Sequence, residues 1–174
     1  MHLTLVTGGA RSGKSDYAET LARARAQPVT FVATAESLDD EMAARIARHR
    51  ARRDPSWTTV ESPYDAAEAV VRASTPVVVL DCLTLLGSNA MLSAESRLED
   101  ASGAVRHEVQ RLIRARASRD GALIVVTNEV GLGIVPHTPV GRVYRDALGE
   151  ANTALARVAD AVVLMVSGIP VVLR

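Results

Sequence analysis

Residues 3–15 read LTLVTGGARSGKS: a short apolar run, a loop of small residues with three glycines, then Lys14-Ser15. Gly8, Gly13, Lys14 and Ser15 fit the spacing G-x-x-x-x-G-K-[ST] of a phosphate-binding loop. The spacing has a physical reason. Small residues let the backbone curl so that successive N–H groups point at phosphate oxygens, Lys14 neutralises charge further along a triphosphate, and the Ser15 hydroxyl offers a ligand to Mg²⁺. Residues 15–26, SDYAETLARARA, continue as a helix, whose dipole adds to anion binding. The alternative is a glycine-rich turn that holds nothing, and strand, loop, Lys-Ser pair and helix in register argue against it. The expected cradle is therefore Gly8, Gly9, Ala10, Arg11, Ser12, Gly13, Lys14 and Ser15, with Lys14 catalytic and Ser15 a metal ligand.

Outward from the loop, apolar runs alternate with helical patterns. The runs are residues 3–7, 29–33, 58–60, 77–80, 122–127 and 161–166, and most are β-branched and continuous, as for parallel strands covered on both faces. Helix-like segments lie near 14–26, 39–53, 64–74, 95–118 and 141–158. This order predicts an α/β layered fold with right-handed crossovers. The final stretch, AVVLMVSGIPVVLR, reads as a hairpin about Ser167-Gly168, with Pro170 marking an edge strand. The expectation is one domain over residues 1–174, with a mostly parallel sheet of about seven strands and one antiparallel C-terminal edge strand.

Bulk properties narrow the function. The chain has 174 residues, 48% of them hydrophobic, which suits one domain with a sizeable core and excludes disorder. A formal net charge of zero argues against a nucleic-acid or membrane-surface binder. Cys82 is the single cysteine, so an internal disulfide and a multi-cysteine zinc site are excluded. No apolar stretch reaches the ~18 residues of a membrane span, and the default is a cytoplasmic enzyme or binding domain.

Three further stretches carry candidate chemistry. VVVLD, residues 77–81, ends a buried strand in Asp81, suited to hold Mg²⁺ beside a bound triphosphate, although Asp also begins turns. Residues 39–53, DDEMAARIARHRARR, place acids first and bases last, as a helix dipole favours. In that helix Met42, Ala43 and Ile46 form the apolar stripe, and His49 lies about 20° from Met42 and about 60° from Ile46 in azimuth. His49 thus faces with the stripe, among arginines that attract phosphates; it is either a helix-end cap or a nucleophile. His2, His107 and His137 offer less. The stretch VVTNEVGLGIVP, 125–136, sets Thr127, Asn128 and Glu129 at the carboxyl end of a strand, where open α/β sheets bind ligands. It reads as a ligand loop or as a well-capped turn.

Taken together, TGGARSGKS, DDEMAARIARHR, VVTNEVGLGIVP, YRDALGEANTALA and VSGIP occur in this order across residues 3–173. The sequence closely resembles the bifunctional adenosylcobinamide kinase / adenosylcobinamide-phosphate guanylyltransferase family of cobalamin biosynthesis. The resemblance implies a RecA-like phosphate-loop fold and a homotrimer. It implies phosphorylation of adenosylcobinamide with ATP or GTP, then transfer of GMP from GTP to adenosylcobinamide phosphate. The second step is implied to pass through a guanylylated histidine matching His49. Further nucleotide contacts implied by position are Thr34, Ala35, Glu36, Arg50, Ala51, Arg52, Arg53, Glu61 and Asp81. The polar segment 92–106 does not match the family's pattern, and substrate preference is open there. Two rival readings stand beside this one: a phosphate-loop kinase of another small alcohol with His49 structural, and a GTP-dependent switch protein without nucleotidyl transfer.

Overall fold

Strand β1 (His2–Gly8) lies between two parallel neighbours, β5 (Ala122–Val126) and β6 (Ala161–Val166), and every residue from Leu3 to Gly8 is buried. This is why the sequence before the loop is apolar without alternation. The structure is a computed structural model that describes residues 1–37, 39–93 and 98–174, with backbone alone for 98–100. Its remaining strands are β2 (Val29–Ala33), β3 (Thr58–Glu61), β4 (Val77–Asp81) and β7 (Ile169–Val172). The sheet order is β3-β2-β4-β5-β1-β6-β7, parallel throughout except for the β6–β7 pair. Seven strands and one antiparallel edge match the expectation.

The hairpin joining β6 to β7 has Ser167 and Gly168 as its two loop residues, both at positive φ (51° and 84°). Such a turn matches the right-handed twist of the flanking strands. Pro170 sits in the edge strand, where its missing N–H costs nothing.

Helices cover both faces. Leu3, Leu5, Val78, Leu80, Leu123 and Val125 point to one side, where they pack with α3 (Ala66–Arg72), α4 (Leu83–Ser93), α5 (Leu98–Ala117) and α6 (Pro139–Val158). Val6, Val77, Val79, Ile124 and Val126 point to the other, against Ala18 and Ala22 of α1 (Lys14–Ala24) and beside Trp57. The period of two therefore puts Asp81 on the α1 side and Thr7 on the α6 side.

The expected helix over 39–53 is α2 (Asp40–Arg52), begun by Asp39, whose carboxylate accepts from the Met42 N–H at 2.7 Å. Met42, Ala43, Ile46 and His49 are its half-covered positions, as the azimuths predicted, yet none of its residues is fully buried. Helix α6 begins two residues before the expected 141, at Pro139, with the Thr138 hydroxyl capping Gly141 N–H. Helix α4 has no counterpart in the periodicity reading. Its sequence LTLLGSNAMLS is apolar on almost every side because it is packed against α5, α6 and β5 at once. The helix expected from 95 is described from Leu98, and residues 94–97 lie outside the described residues. Within the polar segment 92–106, Ala101 and Val105 are nonetheless core residues.

Candidate functional site: a phosphate cradle at the first strand-to-helix junction

The loop after β1 is held open by its glycines. Gly8 has φ 148° and Gly13, the residue preceding α1, has φ 91°. A Cβ on Gly8 would lie 2.5 Å from the Met165 carbonyl oxygen, so only glycine lets β1 and β6 close at this height. No side chain caps α1, which leaves the first N–H groups of the helix to the loop's concavity. The β6–β7 turn braces the far side: Gly168 N–H donates to the Ser12 carbonyl at 3.0 Å. Nothing in the spacing of the loop itself signals that brace.

Lys14 is buried, and its ammonium donates to the Gly9 carbonyl at 2.5 Å and reaches the Ser12 hydroxyl at 3.5 Å. Burial holds its pKa below the usual lysine value; Cys82 and the Asp81 carboxylate oppose that shift, and Arg45 on α2 adds to it. The lysine is thus poised inside the cradle, short of charge compensation that a phosphate would supply.

Asp81 ends β4 on the α1 side. Burial raises its pKa above the ordinary carboxylate value, against the Ser15 hydroxyl and the nearby charges of His49, Arg53 and Lys14, which lower it. The charges of Lys14 in the cradle and of His49 and Arg53 at the α2 end thus all act on this one carboxylate. The Ser15 hydroxyl and the Asp81 carboxylate are hard oxygen donors, and one or two such protein oxygens suit Mg²⁺, which keeps much of its hydration shell. Among the described residues, no group of three or more His, Cys, Asp and Glu is arranged to hold a metal by itself.

Helix α2 reaches the site through its arginines rather than an apolar seam. Arg52 pairs with Asp16 at 3.1 Å, and Arg50 pairs with Glu61 at the end of β3. The Arg53 guanidinium lies 3.6 Å over the Phe31 ring and donates to the Thr59 hydroxyl at 2.9 Å. Phe31 in turn stacks on Trp57 with ring centroids 6.3 Å apart. Ala51 is exposed on the same helix. These exposed ion pairs are each worth little, ~0–1 kcal/mol, so α2 is held lightly. His2, His107 and His137 are all exposed, and none of them is among the groups acting on Asp81.

At the end of β2 the structure separates the expected contacts. Thr34 is completely buried; its hydroxyl donates to the Cys82 carbonyl and accepts from the Cys82 N–H, both at 2.7 Å, and its own N–H donates to the Asp81 carbonyl. Its side chain thus fixes the backbone that carries Asp81. Ala35 is half-buried, and Glu36 accepts from the Tyr64 hydroxyl at 2.6 Å. Glu61 is exposed and engaged by Arg50.

The carboxyl end of β5 is more heavily built than a capped turn requires. Asn152 of α6 accepts from the Thr127 hydroxyl at 2.7 Å and donates to the Asn128 carbonyl at 3.0 Å. Asn128 donates from its backbone and side-chain nitrogens to the Thr84 hydroxyl, and the Thr84 carbonyl accepts from the Tyr144 hydroxyl. Glu129 follows, tied by its N–H to the Gly8 carbonyl at 3.1 Å. The TNE triplet at a strand's end was the available signal; its attachment to Gly8 was not visible in spacing.

Residues 4–173 match the family CobU, described as cobinamide kinase / cobinamide phosphate guanyltransferase. The chain belongs to that family. It is 41% identical over 181 residues to the "Bifunctional adenosylcobalamin biosynthesis protein CobU" of Escherichia coli (strain K12), covering 99% of both chains. The same description is carried by a Salmonella typhimurium protein at 40% identity, again with 99% of both chains covered. A Pseudomonas aeruginosa protein, "Bifunctional adenosylcobalamin biosynthesis protein CobP", is 38% identical over 98% of this chain and 96% of its own. In architecture the chain is similar to the flagellar accessory protein FlaH of Methanocaldococcus jannaschii, with a TM-score of 0.50 at 15% identity. That likeness covers 99% of this chain and 78% of FlaH, and it concerns the fold alone. As a CobU-family chain it also has, among the described residues, no helix long and apolar enough to cross a membrane.

Proposed function

We propose that this chain phosphorylates the side-chain hydroxyl of adenosylcobinamide with ATP or GTP, and then transfers GMP from GTP to the resulting phosphate through a guanylylated His49. The observation that supports the reading is a buried Lys14 inside a loop bent at Gly8 and Gly13, on the same side of the sheet as Asp81 at the end of β4; the charges of Lys14 and of His49 on α2 both act on that carboxylate. The names borne by its full-length relatives, each a bifunctional adenosylcobalamin biosynthesis protein, support the choice of substrate.

The proposed roles are these. The loop N–H groups and the start of α1 take the β-phosphate, and the buried Lys14 gives its charge to the phosphate oxygens once they replace the Gly9 carbonyl. Ser15 and Asp81 would hold Mg²⁺, which supplies fixed positive charge beside the triphosphate. In the transfer half, an imidazole nitrogen of His49 forms a bond to the α-phosphorus as the bond to the β-phosphate oxygen breaks and pyrophosphate leaves. A phosphate oxygen of the cobinamide phosphate then displaces the imidazole, which splits one hard substitution into two easier ones. Arg50, Arg52 and Arg53 line the approach and offset phosphate charge. Thr34, Ala35, Glu36 and Glu61 remain proposed nucleotide contacts, with Thr34 acting through its backbone because its hydroxyl is committed to Cys82. A homotrimer belongs to the same reading, supported by the exposed apolar side chains Ile169, Val172 and Leu173.

The test is incubation with α-labelled GTP. Label on the protein that is acid-labile and base-stable, and that disappears in His49→Ala while cobinamide phosphorylation continues, supports the reading. Absence of label from a wild-type chain with active kinase favours a simple alcohol kinase. Triphosphate consumption indifferent to adenosylcobinamide favours a nucleotide switch.

A further inference from the structure

We propose that Glu129 is the general base of the phosphorylation half-reaction, accepting the proton of the acceptor hydroxyl as its oxygen attacks the terminal phosphate; this rests on the kinase reading given above. Strand β5 lies between β1, which leads into the cradle, and β4, which ends in Asp81. The chain leaving β5 is laced to the start of the cradle: Thr127 N–H donates to the Val6 carbonyl at 3.0 Å and Glu129 N–H to the Gly8 carbonyl at 3.1 Å. Glu129 therefore stands beside the first residue of the phosphate loop.

Its carboxylate is half-fixed and half-free. The Thr7 hydroxyl donates to Oε1 at 2.5 Å, and the Asn152 side-chain nitrogen reaches the same oxygen at 3.4 Å. Oε2 has no hydrogen-bond or ion-pair partner among the described residues, and the side chain is only half-buried. One oxygen thus aims the group while the other is open to a ligand. Asn152 is itself locked by Thr127 and Asn128, so the aim is set by buried packing rather than by a mobile loop.

Asp81 is a poor candidate for the same task. The charges of His49, Arg53 and Lys14 act on it and it lies on the α1 side of the sheet, whereas Glu129 is anchored by Thr7 on the α6 side. The two carboxylates flank the cradle from opposite faces. One is placed among cations, the other is left unpaired.

The chemistry needs such a base in one half-reaction alone. An alkyl hydroxyl becomes a competent nucleophile as its proton leaves. In the step proposed, the O–H bond breaks and the proton passes to Glu129 Oε2. The hydroxyl oxygen bonds to the γ-phosphorus, and the bond to the β-phosphate oxygen breaks with its electron pair on the departing nucleoside diphosphate. Glu129 then releases the proton to water. The transfer half uses an imidazole lone pair and then a phosphate oxygen, and neither has a proton to be removed by this group.

Glu129→Gln separates a base from a brace, because the amide oxygen still accepts from Thr7 and Asn152. Assays use the full chain with γ-labelled ATP and adenosylcobinamide, beside self-labelling of His49 with α-labelled GTP. A wild-type chain that makes no phosphorylated cobinamide refutes the kinase reading, whatever Glu129 does. Given active wild type, the expectation is a loss of at least ~100-fold in phosphorylation by Glu129→Gln, the low end of general-base contributions, with self-labelling reduced less than about 5-fold. Glu129→Asp, which keeps a carboxylate, is expected to recover at least about 10-fold over Glu129→Gln. Phosphorylation by Glu129→Gln within about 5-fold of wild type overturns the inference, as does a parallel loss of both activities or an aspartate variant no better than the glutamine one.

Discussion

Replacing Thr34 by valine keeps the shape of a completely buried side chain and deletes a hydroxyl with two short hydrogen bonds. The two losses are unequal. The Cys82 carbonyl also accepts from the Leu86 N–H at 3.1 Å, so it keeps a partner and loses a typical net bond of ~0.5–1.5 kcal/mol. The Cys82 N–H has no other partner among the described residues, and an orphaned buried donor costs ~1–3 kcal/mol. The sum is a destabilisation of about 1.5–4.5 kcal/mol. With a mid-range slope of ~2 kcal/mol per molar urea, the unfolding midpoint should fall by ~1–2 M. Thr34→Ser, which keeps the hydroxyl and drops a methyl, should lose only ~1 kcal/mol. Because the freed backbone carries Asp81, nucleotide affinity in the presence of Mg²⁺ should fall in the valine variant and much less in the serine one. Equal midpoints for Thr34→Val and wild type, or a serine variant worse than the valine, would refute the account of Thr34 as the tie between β2 and β4.

Gly8→Ala places a Cβ 2.5 Å from a backbone oxygen at a φ of 148°, so nucleotide affinity measured by calorimetry should drop at least tenfold, equivalent to ~1.4 kcal/mol. Asp160 accepts from the Leu3 N–H and from Arg116, which hold its pKa down at about 2, against an ordinary 3.8. A depressed carboxylate stabilises the fold above its unfolded pKa and loses that contribution as pH falls through the folded one; the stability difference between wild type and Asp160→Asn should therefore be full above about pH 4 and vanish towards pH 2 in acid-unfolding curves. Cys82 is buried, and burial together with the Asp81 charge raises its thiol pKa to about 11. At pH 8 the folded protein should therefore leave its thiol unreacted with a disulfide reagent over the time in which urea-unfolded chain reacts fully.

The legible parts were those whose cause is local. Leu3 to Thr7 had to be a buried strand because it is apolar without alternation, and Gly8 to Ser15 had to curl because only small residues permit it. The acids that open residues 39–53 and the spacing of Met42, Ala43, Ile46 and His49 located α2 and the face on which His49 lies, because helix dipole and helical period act within a few residues. Helix α4 escaped for the opposite reason. Packed on several sides, it has no polar stripe for periodicity to detect. Thr34 was placed beside the nucleotide by position, and its hydroxyl turned out to serve Cys82, a residue 48 positions away.

By itself, then, the sequence determined the phosphate loop, the parallel order of strand and helix, the edge hairpin and the family, since each is encoded by short-range sterics or by a run of neighbouring residues. Tertiary structure alone decided that the charges of His49, Arg53 and Lys14 act on Asp81, and that Glu129 is laced to Gly8. Those meetings depend on β5 inserting between β1 and β4, an outcome of sheet packing summed over the whole chain, to which no local stretch of residues is sensitive.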